Sequence, residues 1–324
     1  MIIGGDKTAV IENIKRLANA GDLNHKAELD DPSLSEEESV KVIEKYNADR
    51  AKKLKFFFRS RPAYLIHDIA ILMHKSRTKF EGLEKLDNLK GGAIITSNHF
   101  NPIDSIFPRQ VIKKKFHKFP WIVSQETNLA MPGINGYLMN NLPLLPLKNS
   151  PNYIIKHFIP ELKSKIEKDD FVLIYPEEEL WFNYRKPRPS KRGTFLFASQ
   201  VGAPVIPCFV EMQDAEKDDT GQFCLLNYTV HVLDPIFPDP EKSHKENSKI
   251  MAQKDYEAKI AAYEKAYGKK LNYKFSYKDI AGYHPGVKPS SDKSYIQYCS
   301  TLRAPPWPRA LFVTNLVVVL FGNL

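Results

Sequence analysis

His99 and Asp104 stand five positions apart in the run Ser97-Asn98-His99-Phe100-Asn101-Pro102-Ile103-Asp104. An imidazole next to a carboxylate suits general-base chemistry. The carboxylate takes the proton of one ring nitrogen and fixes the tautomer, and the other nitrogen is left to accept a proton from an attacking hydroxyl. Five residues do not share one helical face. The pair therefore needs a turn, and Asn101-Pro102 is turn-forming. The same spacing also suits a histidine in a plain turn, with Asp104 capping the next helix.

A second group lies downstream. Tyr175-Pro176-Glu177 is followed by a basic, aromatic stretch with Trp181, Tyr184, Arg185, Lys186, Arg188, Lys191 and Arg192. Glu177 could accept hydrogen bonds from a polyol hydroxyl or help to orient His99. The cations could hold phosphate through charge-assisted hydrogen bonds, or belong to a solvated loop.

The elements that must position these residues follow from hydrophobic patterning. Gly92-Ala-Ile-Ile-Thr-Ser reads as a short buried strand ending just before His99, the usual place for function in an α/β sheet. Phe171-Val-Leu-Ile-Tyr reads as another, ending just before Glu177. Strands are also expected at Trp121-Ile-Val-Ser, Pro204-Val-Ile-Pro-Cys-Phe-Val and Tyr228-Thr-Val-His-Val-Leu, with helices over 153–168 and from near Thr194. Short strands separated by helical stretches predict an α/β fold, a layered mixed sheet flanked by helices. A charged helix is expected over 241–270, with Ile250, Tyr256, Ile260, Tyr263 and Tyr267 on its recurring face. Three regions are expected: a charged helical N-terminal segment (1–54), a catalytic domain (55–270) and an irregular Tyr/Pro-rich tail (271–324). The N-terminal segment includes a helix capped by Ser35, and the tail ends in a short apolar run, Ala310 to Leu320.

At the start of the second region, 54–75 crowds Phe56, Phe57, Phe58, Leu65, Ile69 and Leu72 among Lys52, Lys53, Lys55, Arg59 and Arg61. Pro62 is expected to divide it into two helical pieces. Aromatic bulk with cationic edges suits a bilayer interface, and equally a helix docked on the following domain. No apolar run reaches the ~20 residues of a spanning helix, and no signal-peptide core is present. The chain has 324 residues, 43% hydrophobic and 26% charged, and a formal charge of +9, which favours anionic partners. Nucleic acid is not among those expected, for lack of zinc-finger spacing or an RNA-binding aromatic signature. Cys208, Cys224 and Cys299 are too few for a disulfide framework or metal knuckle and fit a reducing compartment.

In motif order the chain resembles the glycerolipid acyltransferase family, the 1-acylglycerol-3-phosphate acyltransferase group in particular. That family carries Asn-His-x4-Asp, a Gly-rich block, Phe-Pro-Glu-Gly-Thr-Arg and a Pro-containing strand. Here the matching stretches are Asn98-His99 through Asp104, Gly136 to Asn149, Tyr175-Pro176-Glu177 and Val201 to Pro207. The resemblance implies His99 as general base, Asp104 as its partner and Glu177 as an acceptor-positioning residue; Asn98 and Lys148 fall in its matched blocks, and Arg185, Lys186 and Arg192 of the basic loop complete the expected substrate-binding set. It implies an acyl-CoA or acyl-carrier-protein thioester as co-substrate, with no metal or other cofactor. The acceptor implied is a lipid hydroxyl, and the expected location is cytoplasmic, peripheral to a membrane. Lys148 stands where the family usually has Arg, keeping the charge but losing the bidentate fork. Glu178-Glu179-Leu180 replaces Gly-Thr-Arg, and its carboxylates would repel a phosphate. The acceptor expected is thus widened from a lysophospholipid to a glycolipid or cell-envelope hydroxyl. The competing expectations are a thioesterase and a non-catalytic membrane-binding protein on the same fold.

Overall fold

The computed structural model describes residues 6–29, 33–219 and 221–287. Three helices come first: α1 (Thr8–Ala20), α2 (Glu36–Ala51) and α3 (Lys53–His74). Next are β1 (Thr78–Glu81), β2 (Ala93–Thr96), α4 (Ile106–Phe116), β3 (Trp121–Gln125), α5 (Gly133–Asn141) and β4 (Leu144–Leu147). The short α6 (Pro151–Tyr153) runs through a π-helical turn at Ile154–Phe158 into α7 (Ile159–Ile166). The remaining elements are β5 (Phe171–Ile174), α8 (Gly193–Gln200), β6 (Val205–Asp218), β7 (Cys224–Val232) and α9 (His244–Tyr267).

The seven strands form one sheet in the order β1-β7-β6-β2-β5-β3-β4. From β6 to β4 all neighbours are parallel, β7 runs antiparallel to β6, and β1 pairs parallel with β7. The sheet is therefore mixed and flanked by helices, as expected. Its central strands are buried on both faces, which is why they read as continuous apolar runs. Alternation sorts their side chains. Ile95, Leu173 and Ile206 pack with Phe107 and Val111 of α4. Ile94, Val172 and Val205 pack with Leu162 of α7, Phe195 of α8 and Met251 of α9.

Ser35 caps α2 in a full capping box with Glu38. Two expectations are corrected. First, Pro62 does not divide 54–75; α3 passes through it as one helix of 22 residues. Proline costs the Phe58 carbonyl its helical donor, but α3 is held from outside. The Tyr137 hydroxyl of α5 donates to the neighbouring Arg59 carbonyl at 2.8 Å, and α3 also packs on α4. Second, α9 does not bury Ile250, which is exposed; its inner face carries Met251, Asp255, Lys259, Ala262 and Tyr263. An Asp and a Lys turned inward are invisible to a hydrophobic pattern.

A third apolar cluster joins the two ends of the described chain. Val10, Ile11, Ile14 and Leu17 of α1 meet Trp181, Phe182, Tyr184 and Ile280. The segment after α9 is irregular as far as 287, apart from a single 3-10 turn at Tyr277–Asp279. Cys299 and the apolar run Ala310 to Leu320 lie outside the described residues.

Candidate active site

β2 ends at Thr96, and the chain leaves it under tight control. The Asn98 side chain pairs with the Val210 backbone of β6 in both directions, accepting its N–H at 2.8 Å and donating to its carbonyl at 3.1 Å. The following backbone is anchored to the loop after β5. His99 N–H donates to Glu177 Oε2 (3.3 Å), Trp181 N–H to the His99 carbonyl (3.1 Å) and Asn183 N–H to the Phe100 carbonyl (2.7 Å).

Asn101 then turns the chain. Its carbonyl accepts from the Asp104 N–H at 2.9 Å and its side-chain oxygen from the Ile103 N–H at 3.3 Å, as an Asx turn does. This brings Asp104 back under His99, with Nδ1 2.8 Å from Asp104 Oδ2. The same oxygen accepts the Phe100 and Asn101 backbone N–H groups at 2.8 and 3.2 Å. Asp104 Oδ1 accepts the Tyr175 hydroxyl at 2.6 Å. The Tyr175 ring also stacks on the imidazole, with centroids 4.0 Å apart and planes 17° from parallel. Burial, and then the adjacent Asp104, push the Tyr175 hydroxyl well above its ordinary pKa, so it stays a donor. Asp104 is 2% exposed while the His99 side chain is 21% exposed. Acceptance by Asp104 places the ring proton on Nδ1. Nε2 has no hydrogen-bond partner among the described residues and is the atom available to a substrate proton.

Glu177 is not open to solvent. It is 2% exposed and paired with Arg188, itself 1% exposed, through Arg188 Nε–Oε2 and backbone N–Oε1 contacts of 3.0 Å each. Arg188 also donates to the Leu23 carbonyl and lies over the Trp181 ring. The Asn24 side chain donates to the carbonyls of Glu177 and Pro189. The link after α1 thus straps this loop from outside. Glu178 adopts left-handed backbone, φ 65°, the conformation glycine takes most easily. The exposed Glu178 therefore keeps the turn expected at a glycine position.

The other predicted binding residues are distributed differently. Lys148 follows β4 on the same sheet edge as His99, but three strands away, about 14 Å at ~4.8 Å per strand. It is buried and pairs with Glu36 at the start of α2. Arg185 is taken up by the Met212 and Lys278 carbonyls and by Asp214. Lys186 forms a buried pair with Asp279 at 2.7 Å. Arg192 is exposed and donates to the Lys245 carbonyl and Ser248. The structure therefore gathers His99, Asp104, Asn98 and Glu177. The hydrogen-bond partners of Lys148, Arg185, Lys186 and Arg192 all lie away from the His99 loop. Two residues central to the geometry, Tyr175 and Arg188, were visible in the sequence only as neighbours of Glu177 and members of a basic loop.

The model of the Acyltransferase family matches residues 77–211, a span that contains His99, Asp104, Tyr175, Glu177 and Arg188. Among solved structures, the chain is similar to the 1-acyl-sn-glycerophosphate (LPA) acyltransferase PlsC from Thermotoga maritima. The two share 15% identity over 71% of this chain and 89% of that one, with a TM-score of 0.44. No curated protein matches.

Proposed function

From the premise that residues 77–211 form an Acyltransferase-family domain, we propose that the chain moves an acyl group from a thioester to a hydroxyl. The donor is an acyl-CoA or acyl-carrier-protein, and the acceptor a lysophospholipid, glycolipid or cell-envelope hydroxyl. One observation carries this reading: an imidazole held by a buried carboxylate at Nδ1, with Nε2 unengaged among the described residues.

In this reading Nε2 takes the proton of the acceptor hydroxyl as its oxygen attacks the thioester carbonyl. The imidazolium that forms is stabilised by Asp104, whose place is kept by Tyr175 and two backbone N–H groups. Collapse of the tetrahedral intermediate breaks the carbon–sulfur bond, and Nε2 returns the proton to the leaving thiolate. No protein nucleophile is needed. Lys148, Arg185 and Lys186 already have carboxylate partners, so of the four predicted cations Arg192 is the one left for an anionic headgroup. An acceptor without a phosphomonoester suits that supply of charge.

The membrane is the proposed source of acceptor. No helix among the described residues is long and apolar enough to cross a bilayer. However, α3 exposes Leu54 (73%), Phe58 (61%), Leu65 (44%) and Leu72 (62%), at steps of four and seven residues that form one stripe. Exposed Lys52, Lys53, Lys55 and Arg61 accompany it. An exposed apolar stripe beside cations suits the interface of an anionic bilayer.

The test is thiol release from long-chain acyl-CoA and acyl-carrier-protein by wild type and His99→Ala. It is run without acceptor, with lysophosphatidic acid, and with a glycolipid extract. Acceptor-dependent release that falls ~10²–10⁴-fold in the variant, with an unchanged melting curve, is the expected result. Release without acceptor would make the protein a thioesterase, and near-normal turnover by His99→Ala would remove His99 from the chemistry.

A further inference from the structure

The buried face of α9 holds an ion pair that the acyl-transfer chemistry does not use. Asp255 and Lys259 are both fully buried, and Lys259 Nζ lies 2.8 Å from Asp255 Oδ2. Their remaining hydrogen bonds reach the two segments that build the site. Thr96, the last residue of β2, donates its hydroxyl to Asp255 Oδ1 and accepts from Lys259 Nζ at 3.2 Å. Ser190 donates to Asp255 Oδ2 at 2.6 Å. Ser190 sits at the closing end of the Glu177–Arg188 loop, where the next residue, Lys191, donates its N–H to the Pro176 carbonyl at 2.7 Å. One carboxylate on α9 therefore grips both the strand end that leads to His99 and the base of the loop that carries Glu177.

Stability alone does not account for such a pair. Desolvating two charges costs several kcal/mol per ion, and well-packed apolar side chains of the same volume are often as stabilising or more so. What a satisfied buried network adds is a defined geometry. Here the geometry it defines is the distance between the end of β2 and the closing end of the loop that follows β5. The pose of the His99 turn depends on that distance, because Glu177, paired with Arg188 of the same loop, accepts the His99 backbone N–H.

We propose that Asp255, with Lys259, is a positioning residue that holds the His99 turn and the Glu177–Arg188 loop in working register. Its expression as a rate loss rests on the acyl-transfer reading above. α9 lies beyond the 77–211 family match, so this part of the chain completes a site that the matched domain does not complete alone.

Asp255→Ala would leave Lys259 buried and unpaired and is liable not to fold. Ser190→Ala and Thr96→Val therefore carry the test, because Ser190→Ala cuts one hydrogen bond and Thr96→Val two while both keep the ion pair; Ser190→Thr restores the hydroxyl. Three measurements are made on the full chain: the melting curve, kcat and KM for thiol release, and amide hydrogen exchange of peptides covering 97–104 and 176–192. The expected result for Ser190→Ala and Thr96→Val is a folded protein with kcat lowered about 10- to 100-fold and KM little changed. Exchange is faster in those two peptides alone, and Ser190→Thr is close to wild type. Normal turnover in both folded variants overturns the proposal, as does a fall in kcat without a change in exchange. If the wild type releases no thiol under any condition, the acyl-transfer reading fails and exchange alone decides. Faster exchange confined to the two peptides then supports the clamp, and unchanged exchange overturns it.

Discussion

At the scale of single residues, the imidazole owes its pose to a network centred on the buried Asp104. Asp104 accepts from His99, from two backbone N–H groups and from Tyr175. Tyr175→Phe keeps the ring that stacks on His99 and removes one donor. A hydrogen bond to a charged group contributes ~1.5–3 kcal/mol, so kcat should fall by about tenfold or more while the donor KM stays near its wild-type value. Unchanged steady-state kinetics would show that the hydroxyl has no orienting role. Glu177 gives an opposite pattern. Its carboxylate is sealed against Arg188, and removing one partner of a buried pair costs ~3–5 kcal/mol. Glu177→Ala should therefore lower the urea midpoint sharply. If Glu177 instead held the acceptor directly, the change would raise the acceptor KM and leave the urea midpoint in place.

At the scale of elements, α3 is one unbroken helix with an exposed apolar stripe. At 1.5 Å per residue, its 22 residues extend ~33 Å, enough to lie along a membrane surface with its apolar stripe down. Reversing Lys52, Lys53, Lys55 and Arg61 to Glu should release the protein from liposomes rich in anionic lipid in a sedimentation assay. Arg59 is left intact because it pairs with Asp49 at 2.8 Å. Co-sedimentation equal to wild type would exclude this stripe as the anchor. The inner side of α3 meets α4 through Arg109, which donates to Asp68 at 3.0 Å and lies over the Phe119 ring. His67 reaches toward the Ser105 hydroxyl at 3.4 Å, the residue after Asp104. The proposed membrane face and the active-site turn are thus two sides of one packed layer.

At the scale of the molecule, that layer sets a pH dependence. Burial first, then the charges of Arg109 and Lys113, lower the His67 pKa from 6.5 to about 3; Asp68, beside Arg109, is the nearby carboxylate. His74, at the end of the same helix, is also lowered by burial. A histidine whose folded pKa is depressed stays neutral in the native state and takes up a proton on unfolding. Its stabilising contribution is present above pH 6.5 and is lost as pH falls from there toward 3, at up to ~1.4 kcal/mol per pH unit. Urea midpoints should decline between pH 6.5 and 5, before carboxylates titrate, and less steeply in His67→Gln. Equal slopes in the two proteins would mean that His67 is not the group responsible.

How much was legible in the sequence depended on the range of the forces involved. The strands that end before His99 and Glu177 are continuous apolar runs because they are buried on both faces, and local patterning reports burial. The His99–Asp104 pairing was legible because Asn101-Pro102 encodes its turn within a few residues. The Ser35 cap is equally local. Tertiary structure alone decided which cations are free. Arg185 and Lys186 look like phosphate ligands in a basic loop, yet Asp214 and Asp279, more than 25 and 90 positions downstream, hold them. Pro62 reads as a break until α5 supplies a hydroxyl to the next carbonyl. Asp255 and Lys259 fall outside the recurring face expected for the 241–270 helix, and their partners are the ends of β2 and of the Glu177 loop. In each case the sequence determines the local element and its charge, while the partner that satisfies a buried polar group comes from a distant segment and appears only when the chain is folded.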